Sequence, residues 1–372
     1  MLVFLLTSFR KIFAGKRKNA LQNDWSVTLV VTAYNERDVL QQKIKNILEL
    51  NYPSELLQVI FVTDGSADGS DELIRQHPSF RLMHQPERKG KYAAIKRAMA
   101  EVNTNIVVFT DANSMLNKES IQKIVAHYND ERVGGVAGEK KIICNGKNSA
   151  VGQAEGWYWK YESYMKKLDA TLYTVVGAAG ELFSIRTNLF RALGDDLLLD
   201  DFIISMQVCL QGYKIEYEPM AFATELPSVS LIEEEKRKIR IAAGAYQSVA
   251  LLRNQFQPFK DPLLYFQYIS RRVLKWIYCP LMLVFLLLTN IIIALTPLHS
   301  AFFEWSLYAQ LSFYGLAIIG AALASTGRSW VLFTIPFYFV FMNYCLAKGF
   351  FRYVNGKQSV LWEKSLREVY RL

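Results

Sequence analysis

The sequence predicts an α/β domain built on a mostly parallel sheet, followed by helices that lie on and in a membrane. Two observations carry this. Short runs rich in β-branched residues, Val27–Ala33, Leu57–Thr63 and Ile106–Thr110, are apolar at consecutive positions. Strands buried on both faces of a parallel sheet read this way. Three uncharged stretches of spanning length, 276–295, 305–324 and 329–347, crowd the C-terminal end. A buried helix explains one such stretch but not three in succession. The 51% hydrophobic content therefore divides between an ordinary core and a membrane region.

Taken in order, Met1 to Phe9 is apolar but is ended by Arg10 and Lys11, too short to span. Its cations follow the apolar run, whereas a secretory signal carries them first. Residues 1–23 are expected to be a membrane-dipping anchor or the remainder of a longer helix. Residues 24–228 hold the α/β domain, with helical patterns at about 36–50 and about 91–102 between the strands. Residues 229–275 open with the charged Glu233–Arg240. They continue with Tyr265, Phe266, Tyr268, Ile269 and Val273 among Lys260, Arg271, Arg272 and Lys275. Apolar residues with interspersed cations suit amphipathic helices in the membrane interface. The membrane region is 276–347. The tail, 348–372, carries six Lys/Arg against two Glu, which the positive-inside rule keeps inside. Three crossings would put tail and α/β domain on opposite sides. Either one stretch is re-entrant or interfacial, or the count is not three; the charge favours an inside tail.

The four cysteines, Cys144, Cys209, Cys279 and Cys345, form no C-x-x-C pair, and the four histidines form no H-E-x-x-H. Zinc frameworks and histidine-based catalysis are therefore not expected. The net charge of +9 admits nucleic acid, an anionic membrane surface or a phosphate-bearing substrate. The basic residues adjoin membrane segments and candidate phosphate sites and form no separate arm, so a nucleic-acid partner is not expected.

Each strand-like run ends in polar residues: Tyr34-Asn35-Glu36, Asp64-Gly65-Ser66 and Asp111-Ala112-Asn113. One such group usually only caps the next helix. Three at equivalent strand ends point to a ligand, because open α/β sheets bind outside the carboxyl ends of their strands. Asp111 and Asn113 offer hard oxygens for Mg²⁺ or Mn²⁺, Asp111 bearing the charge. Arg88-Lys89-Gly90-Lys91 opens a helix with cations and free backbone donors, a place for phosphate. Asp200-Asp201 precedes the amphipathic Phe202–Leu210; the pair reads equally as a helix cap or as the place of a general base.

These segments together resemble the inverting glycosyltransferases of family 2, in particular membrane-bound ones such as hyaluronan, cellulose and poly-N-acetylglucosamine synthases. The resemblance rests on Val31–Glu36, Thr63–Ser70, Lys89-Gly90-Lys91, Phe109–Asn113, Gly180-Glu181, Asp200-Asp201 and Gly212-Tyr213, in the family's order over roughly residues 27–250. Asn355-Gly-Lys, Trp362-Glu-Lys and Arg367 also look like the tail of such enzymes.

The resemblance implies a GT-A, Rossmann-like catalytic domain on the cytoplasmic side of the inner membrane. It implies a nucleotide-sugar donor, expected to be a UDP-sugar, and Mg²⁺ or Mn²⁺ as cofactor. It places Ala33, Tyr34, Glu36, Asp64, Lys91, Asp111 and Ala112 at the donor, Asp111 and Asn113 at the metal, and Asp201 as catalytic base. Gly180, Glu181, Asp200, Arg237 and Arg240 fall near the acceptor. The acceptor is expected to be a growing polysaccharide or other envelope glycan, the alternatives being single transfer to a lipid carrier or glycolipid, or a non-catalytic subunit of a polysaccharide assembly. Membrane lipids and partner subunits of an export system are the other expected partners. Two departures stand out. Asn113 replaces the second acid of D-x-D. The Q-x-x-R-W of processive enzymes corresponds to Arg237–Ile241, which keeps the Arg at 240 but has Ile241 in place of the Trp. Ile offers no stacking face for a sugar, which puts processivity in question. For Trp157, Tyr158, Trp159, Tyr161 and Tyr164 there are two readings, the lining of an acceptor path and core packing, and core packing is the expected role of most of them.

Overall fold

The structure, a computed structural model, describes residues 24–143, 150–296, 300–326 and 330–361. The expected anchor at 1–23 and the tail residues Trp362, Lys364 and Arg367 lie outside these. Strands and helices alternate through β1 (Val27–Ala33), α1 (Arg37–Leu48), β2 (Leu57–Asp64), α2 (Ser70–Arg75), β3 (Arg81–Gln85), α3 (Lys91–Met99) and β4 (Ile106–Asp111). The expected strands are present, two of them one residue longer at the end that carries the aspartate. The chain continues through β5 (Met115–Leu116), α4 (Ser120–Val125), β6 (Val133–Ile142), α5 (Ala150–Leu172), β7 (Phe183–Arg186), α6 (Asp200–Leu210) and β8 (Lys214–Glu225).

The sheet order is β3-β2-β1-β4-β7-β6-β8-β5. β1 pairs in parallel with β2 and β4, β2 with β3, and β6 with β8. β7 runs antiparallel to β4 and β6, and β5 to β8, so the far half is mixed. The chain moves outward from β1 to β3 and then returns to β4 on the other side of β1. That reversal opens a crevice at the carboxyl ends of β1 and β4, the usual ligand position in such sheets.

Alternate residues feed two cores. Val30, Ile60, Val62, Val107 and Phe109 meet α3 and α6, whereas Leu29, Val31, Phe61, Ile106 and Val108 meet α1 and α4. All ten are 3% exposed or less, which is why these runs lack the polar alternation of a one-sided sheet.

Beyond the sheet, α7 (Leu231–Leu252) starts at Ser230, whose hydroxyl accepts from the Glu233 backbone N–H at 3.3 Å. This is half of an S-x-x-E capping box. The next helix, α8, runs unbroken over Pro262–Ala294, with wide π-type turns from Ile269 to Tyr278. It thus joins the expected interfacial segment to the first apolar stretch. It is followed by α9 (Ala301–Ser325) and α10 (Val331–Val354); all three are long and apolar enough to cross a membrane. Asn290 on α8 donates to Ser306 Oγ (3.0 Å) and Gln310 Oε1 (3.1 Å) on α9, a polar tie inside an otherwise apolar hairpin. α10 lies along α7. The Tyr338 hydroxyl donates to Glu234 (2.9 Å), Lys348 pairs with Glu235 (2.8 Å), and Gly349 sits against Ala242 and Ala243.

Candidate active site

The loop after β1 is tied to the loop after β2. Asn35 takes a positive φ of 52°, which Asn tolerates better than most residues. Its backbone N–H donates to Ser66 Oγ (3.1 Å) and its side chain accepts from the Ala67 N–H (2.9 Å). The Glu36 N–H donates to Ser70 Oγ (3.2 Å). Asp64 ends β2 fully buried, accepting from the backbone of Lys89 (3.1 Å) and Gly90 (2.8 Å). It thereby fixes the start of α3, and so the position of Lys91. Arg88 covers the Tyr34 ring at 3.6 Å.

Lys91 is the centre of the site. Its ammonium meets Asp111 Oδ1 at 2.6 Å and Asp200 Oδ2 at 3.9 Å. Burial works against this charge, but Asp111, Asp200 and Asp201 outweigh it and hold Lys91 above its ordinary range. The same burial raises Asp111, against the opposing pull of Lys91. Burial, reinforced by Asp200, pushes the Asp201 carboxyl up to about 7, with Lys91 again opposing. Gly180 brings the 177–181 loop against these groups: a Cβ there would lie 3.0 Å from Lys91 Nζ and 3.4 Å from Asp201 Oδ2. Two acids from the start of α6, one from the end of β4 and a lysine from α3 therefore converge, although far apart in sequence.

A buried network supports them from behind. Lys43, on α1 and wholly buried, donates to Thr110 Oγ1 (3.1 Å) and to the Ser114 carbonyl, bracketing the Asp111–Asn113 turn. Burial pulls its pKa down to about 7. Lys140 pairs with Glu181 and with Glu225 (2.7 Å), and Ser114 donates to Glu225 (2.7 Å). Burial opposes the Glu181 charge, yet Lys140 holds its carboxyl below the usual range.

A cavity of about 1260 Å³ opens over the site. Of the residues expected at the site, Tyr34, Glu36, Lys91, Asp111, Ala112, Asn113, Gly180, Glu181, Asp200, Asp201, Arg237 and Arg240 line it. Ala33 and Asp64 do not. Ala33 is in the core, and Asp64 acts through the loop it clamps. Arg240 makes no hydrogen bond or ion pair among the described residues; burial pulls its pKa down while Asp200, Asp111 and Asp201 oppose that. Arg237 is instead committed to Glu155 (2.6 Å) and Glu234 (3.0 Å). The aromatic residues of α5 depart from the expected core role: Trp157, Tyr161 and Tyr164 are about half exposed, and Trp157, Tyr158, Trp159 and Tyr161 line the cavity. Sequence reasoning missed Lys43, Lys140, Glu225 and Trp276, which carry no motif. It also missed the buried face of α5 (Glu155, Glu162, Lys166, Asp169), because charges at helical spacing read as a solvated face.

Among the described residues no three His, Cys, Asp or Glu side chains form a closed metal cluster. An ion shared with a diphosphate needs only one or two carboxylates. Asp111 and Asn113 provide hard oxygens, and Asp200 Oδ2, buried without a hydrogen bond, adds negative potential beside them. That donor set fits Mg²⁺ or Mn²⁺.

The switch-point crevice, the convergent carboxylates and the adjacent cations lie in a domain of GT-A fold. Residues 28–194 match the family model described as glycosyl transferase family 2. It is 26% identical over 271 residues to the poly-β-1,6-N-acetyl-D-glucosamine synthase of Staphylococcus aureus (strain MSSA476), covering 69% of this chain and 63% of that protein. The protein of the same name from Staphylococcus epidermidis is 23% identical over 299 residues, covering 77% of this chain and 71% of that protein. Among solved structures, a mannosyltransferase of Pyrobaculum calidifontis in complex with GDP-Man and Mn²⁺ superposes with a TM-score of 0.67 at 21% identity, covering 95% of each chain. The chain spans 63% of the length of the S. aureus relative.

Proposed function

We propose that the chain transfers a sugar, with inversion, from a nucleotide sugar to a hydroxyl of a growing polysaccharide or other envelope glycan. The observation that carries this is the convergence of Asp111, Asp200 and Asp201 on Lys91, inside a cavity that continues along α10. Lys91 and Arg240 face the donor diphosphate and neutralise charge as it leaves. Asp111 and Asn113 would hold a divalent ion, which supplies further charge stabilisation there. Asp201 accepts the proton of the acceptor hydroxyl while its oxygen bonds to the anomeric carbon. The bond from that carbon to the diphosphate oxygen breaks, and the nucleoside diphosphate departs with the electron pair. The 177–181 loop holds the acceptor against the base, removing part of the entropic barrier. Supporting the glycan acceptor are the similarity to the staphylococcal synthases and the aromatic lining. Ile241, also in the lining, supports the second reading, a single transfer to a lipid carrier or glycolipid.

The domain division proposed is a catalytic unit at 24–228, interfacial helices at 229–275, a membrane region at 276–347 and a basic tail. The catalytic unit faces the cytoplasm, where nucleotide sugars are made, in a multi-pass protein of the inner membrane, next to lipids and export subunits. Val360 supports an inside tail: its carbonyl would lie 3.2 Å from a Cβ on Gly90, beside the donor site. α8 and α9 then cross, and α10 lies along α7 as the interfacial stretch.

The test is Asp201→Asn assayed in membranes with labelled nucleotide sugars. Transfer is expected to fall by about two to four orders of magnitude, with donor binding kept. Undiminished transfer would remove Asp201 from the role of base.

A further inference from the structure

Among the described residues Lys166 has no carboxylate within ion-pair distance. It sits on the buried face of α5 at 3% exposure and lines the cavity, yet makes no hydrogen bond or ion pair among the described residues. Its ammonium lies 5.8 Å from the centre of the Trp159 ring. A buried ammonium without an anion is costly, so such lysines are rare. The other charges on this face are matched: Glu155 with Arg237 (2.6 Å), Glu162 with Lys275, and Asp169 with Arg271 (2.7 Å). Of the carboxylates that act on Lys166, Glu181 is paired with Lys140, and Glu139 accepts from the Ser163 and Tyr217 hydroxyls without reaching ion-pair distance of Lys166.

Arg272, on α8, is a second cation without a carboxylate in ion-pair range among the described residues. Its guanidinium donates to the Val176 carbonyl (2.8 Å) and rests on Phe202 (5.5 Å) and Trp276 (5.3 Å). Phe202 directly follows Asp201, and Arg272 is among the charges acting on Lys166. Both cations line the same cavity as the base. The cavity wall also includes Ile335, Phe339, Met342 and Leu346 of α10. Their 4-3-4 spacing puts them on one face for about 16 Å, an apolar wall continuous with a helix of membrane-spanning length.

We propose that Lys166 and Arg272 form a second anion site, separate from the donor-diphosphate site of Lys91 and Arg240, and that it holds the phosphate of a lipid-linked glycan acceptor. The lipid tail lies along α10 while a sugar hydroxyl reaches Asp201. The phosphate is bound and takes no part in the chemistry. The proposal rests on the glycosyltransferase reading for the identity of the acceptor. The apolar wall favours a lipid over a free phosphate, since only a lipid uses cations and wall together.

The test uses the full chain in detergent micelles and follows its unfolding temperature, which rises when a ligand binds the folded state. Three probes are compared: dioctanoyl phosphatidic acid, dioctanoylglycerol and inorganic phosphate, each with and without UDP or GDP. Phosphatidic acid is expected to raise the midpoint in addition to the nucleotide effect, and the other two are not. Lys166→Met should weaken phosphatidic acid binding by about ten- to a hundredfold, the loss of a charge-assisted contact. Lys166→Arg should keep most of it, and both variants should keep the nucleotide response. An equal response to dioctanoylglycerol would leave only an apolar groove and overturn the anion site. An equal response to inorganic phosphate would overturn the lipid source. Unchanged phosphatidic acid binding in Lys166→Met would remove Lys166 from the site. A response to phosphatidic acid but to neither nucleotide would count against the glycosyltransferase reading and leave the anion site standing.

Discussion

In the proposed reaction, Lys91 and Asp201 set the chemistry between them. Asp201 works as a base only when deprotonated, and burial with Asp200 has raised its carboxyl to about 7. The reactive fraction therefore grows as pH rises through about 7 and levels off above it. The kcat/KM profile is expected to show that rising limb, and the residual rate of Asp201→Asn is expected to lack it. Lys91→Met removes the cation on which three carboxylates converge. Donor affinity should fall about tenfold or more, measurable by nucleotide titration, because the diphosphate then meets acids with one fewer compensating charge. Asp111, Asp200 and Asp201 were legible as residues in the sequence. Lys91 was legible too, but its pairing with them was not, because α3 and α6 lie far apart in the chain.

At the scale of elements, helix starts and helix contacts decide the geometry. The Ser230 cap fixes where α7 begins, and α7 carries Arg237 and Arg240 to the cavity. Ser230→Ala should cost about 1 kcal/mol, read as a lower unfolding midpoint. Gly349 lets α10 approach α7 closely: a Cβ there would lie 2.4 Å from the Ala242 Cβ and 2.9 Å from the Ala243 nitrogen. Gly349→Leu should force the two helices apart at about 1–3 kcal/mol and lower transfer by displacing Arg240. A thermal midpoint and an activity equal to those of the parent chain would rule out this contact as a determinant. Strand positions were readable because double-sided burial leaves a continuous apolar run. α5 was less so, since its charged face is buried by pairing with α7 and α8, which local pattern does not reveal.

For the whole molecule, the three apolar stretches alone imply a tail on the far side of the membrane from the catalytic domain. The placement of Val360 beside Gly90 argues for the near side. A reporter fused after Leu372 is expected to show a cytoplasmic location; a periplasmic one would require α10 to cross. The cavity is likewise a property of the assembled chain, since β1, β4, α3, α5, α6, α7, α8 and α10 each contribute to its lining.

The sequence by itself determined the fold class, the three ligand-bearing strand ends and the paired acids. Each is written in residues adjacent or regularly spaced in the chain, where backbone preference and hydrophobic period act locally. Only the tertiary structure decided that Asp64 clamps a loop without lining the cavity and that the α5 aromatics face it. It likewise left Lys166 buried without an ion pair among the described residues. Those outcomes depend on which distant side chains meet in a low-dielectric interior, where a partner's presence or absence sets the energy of a charge.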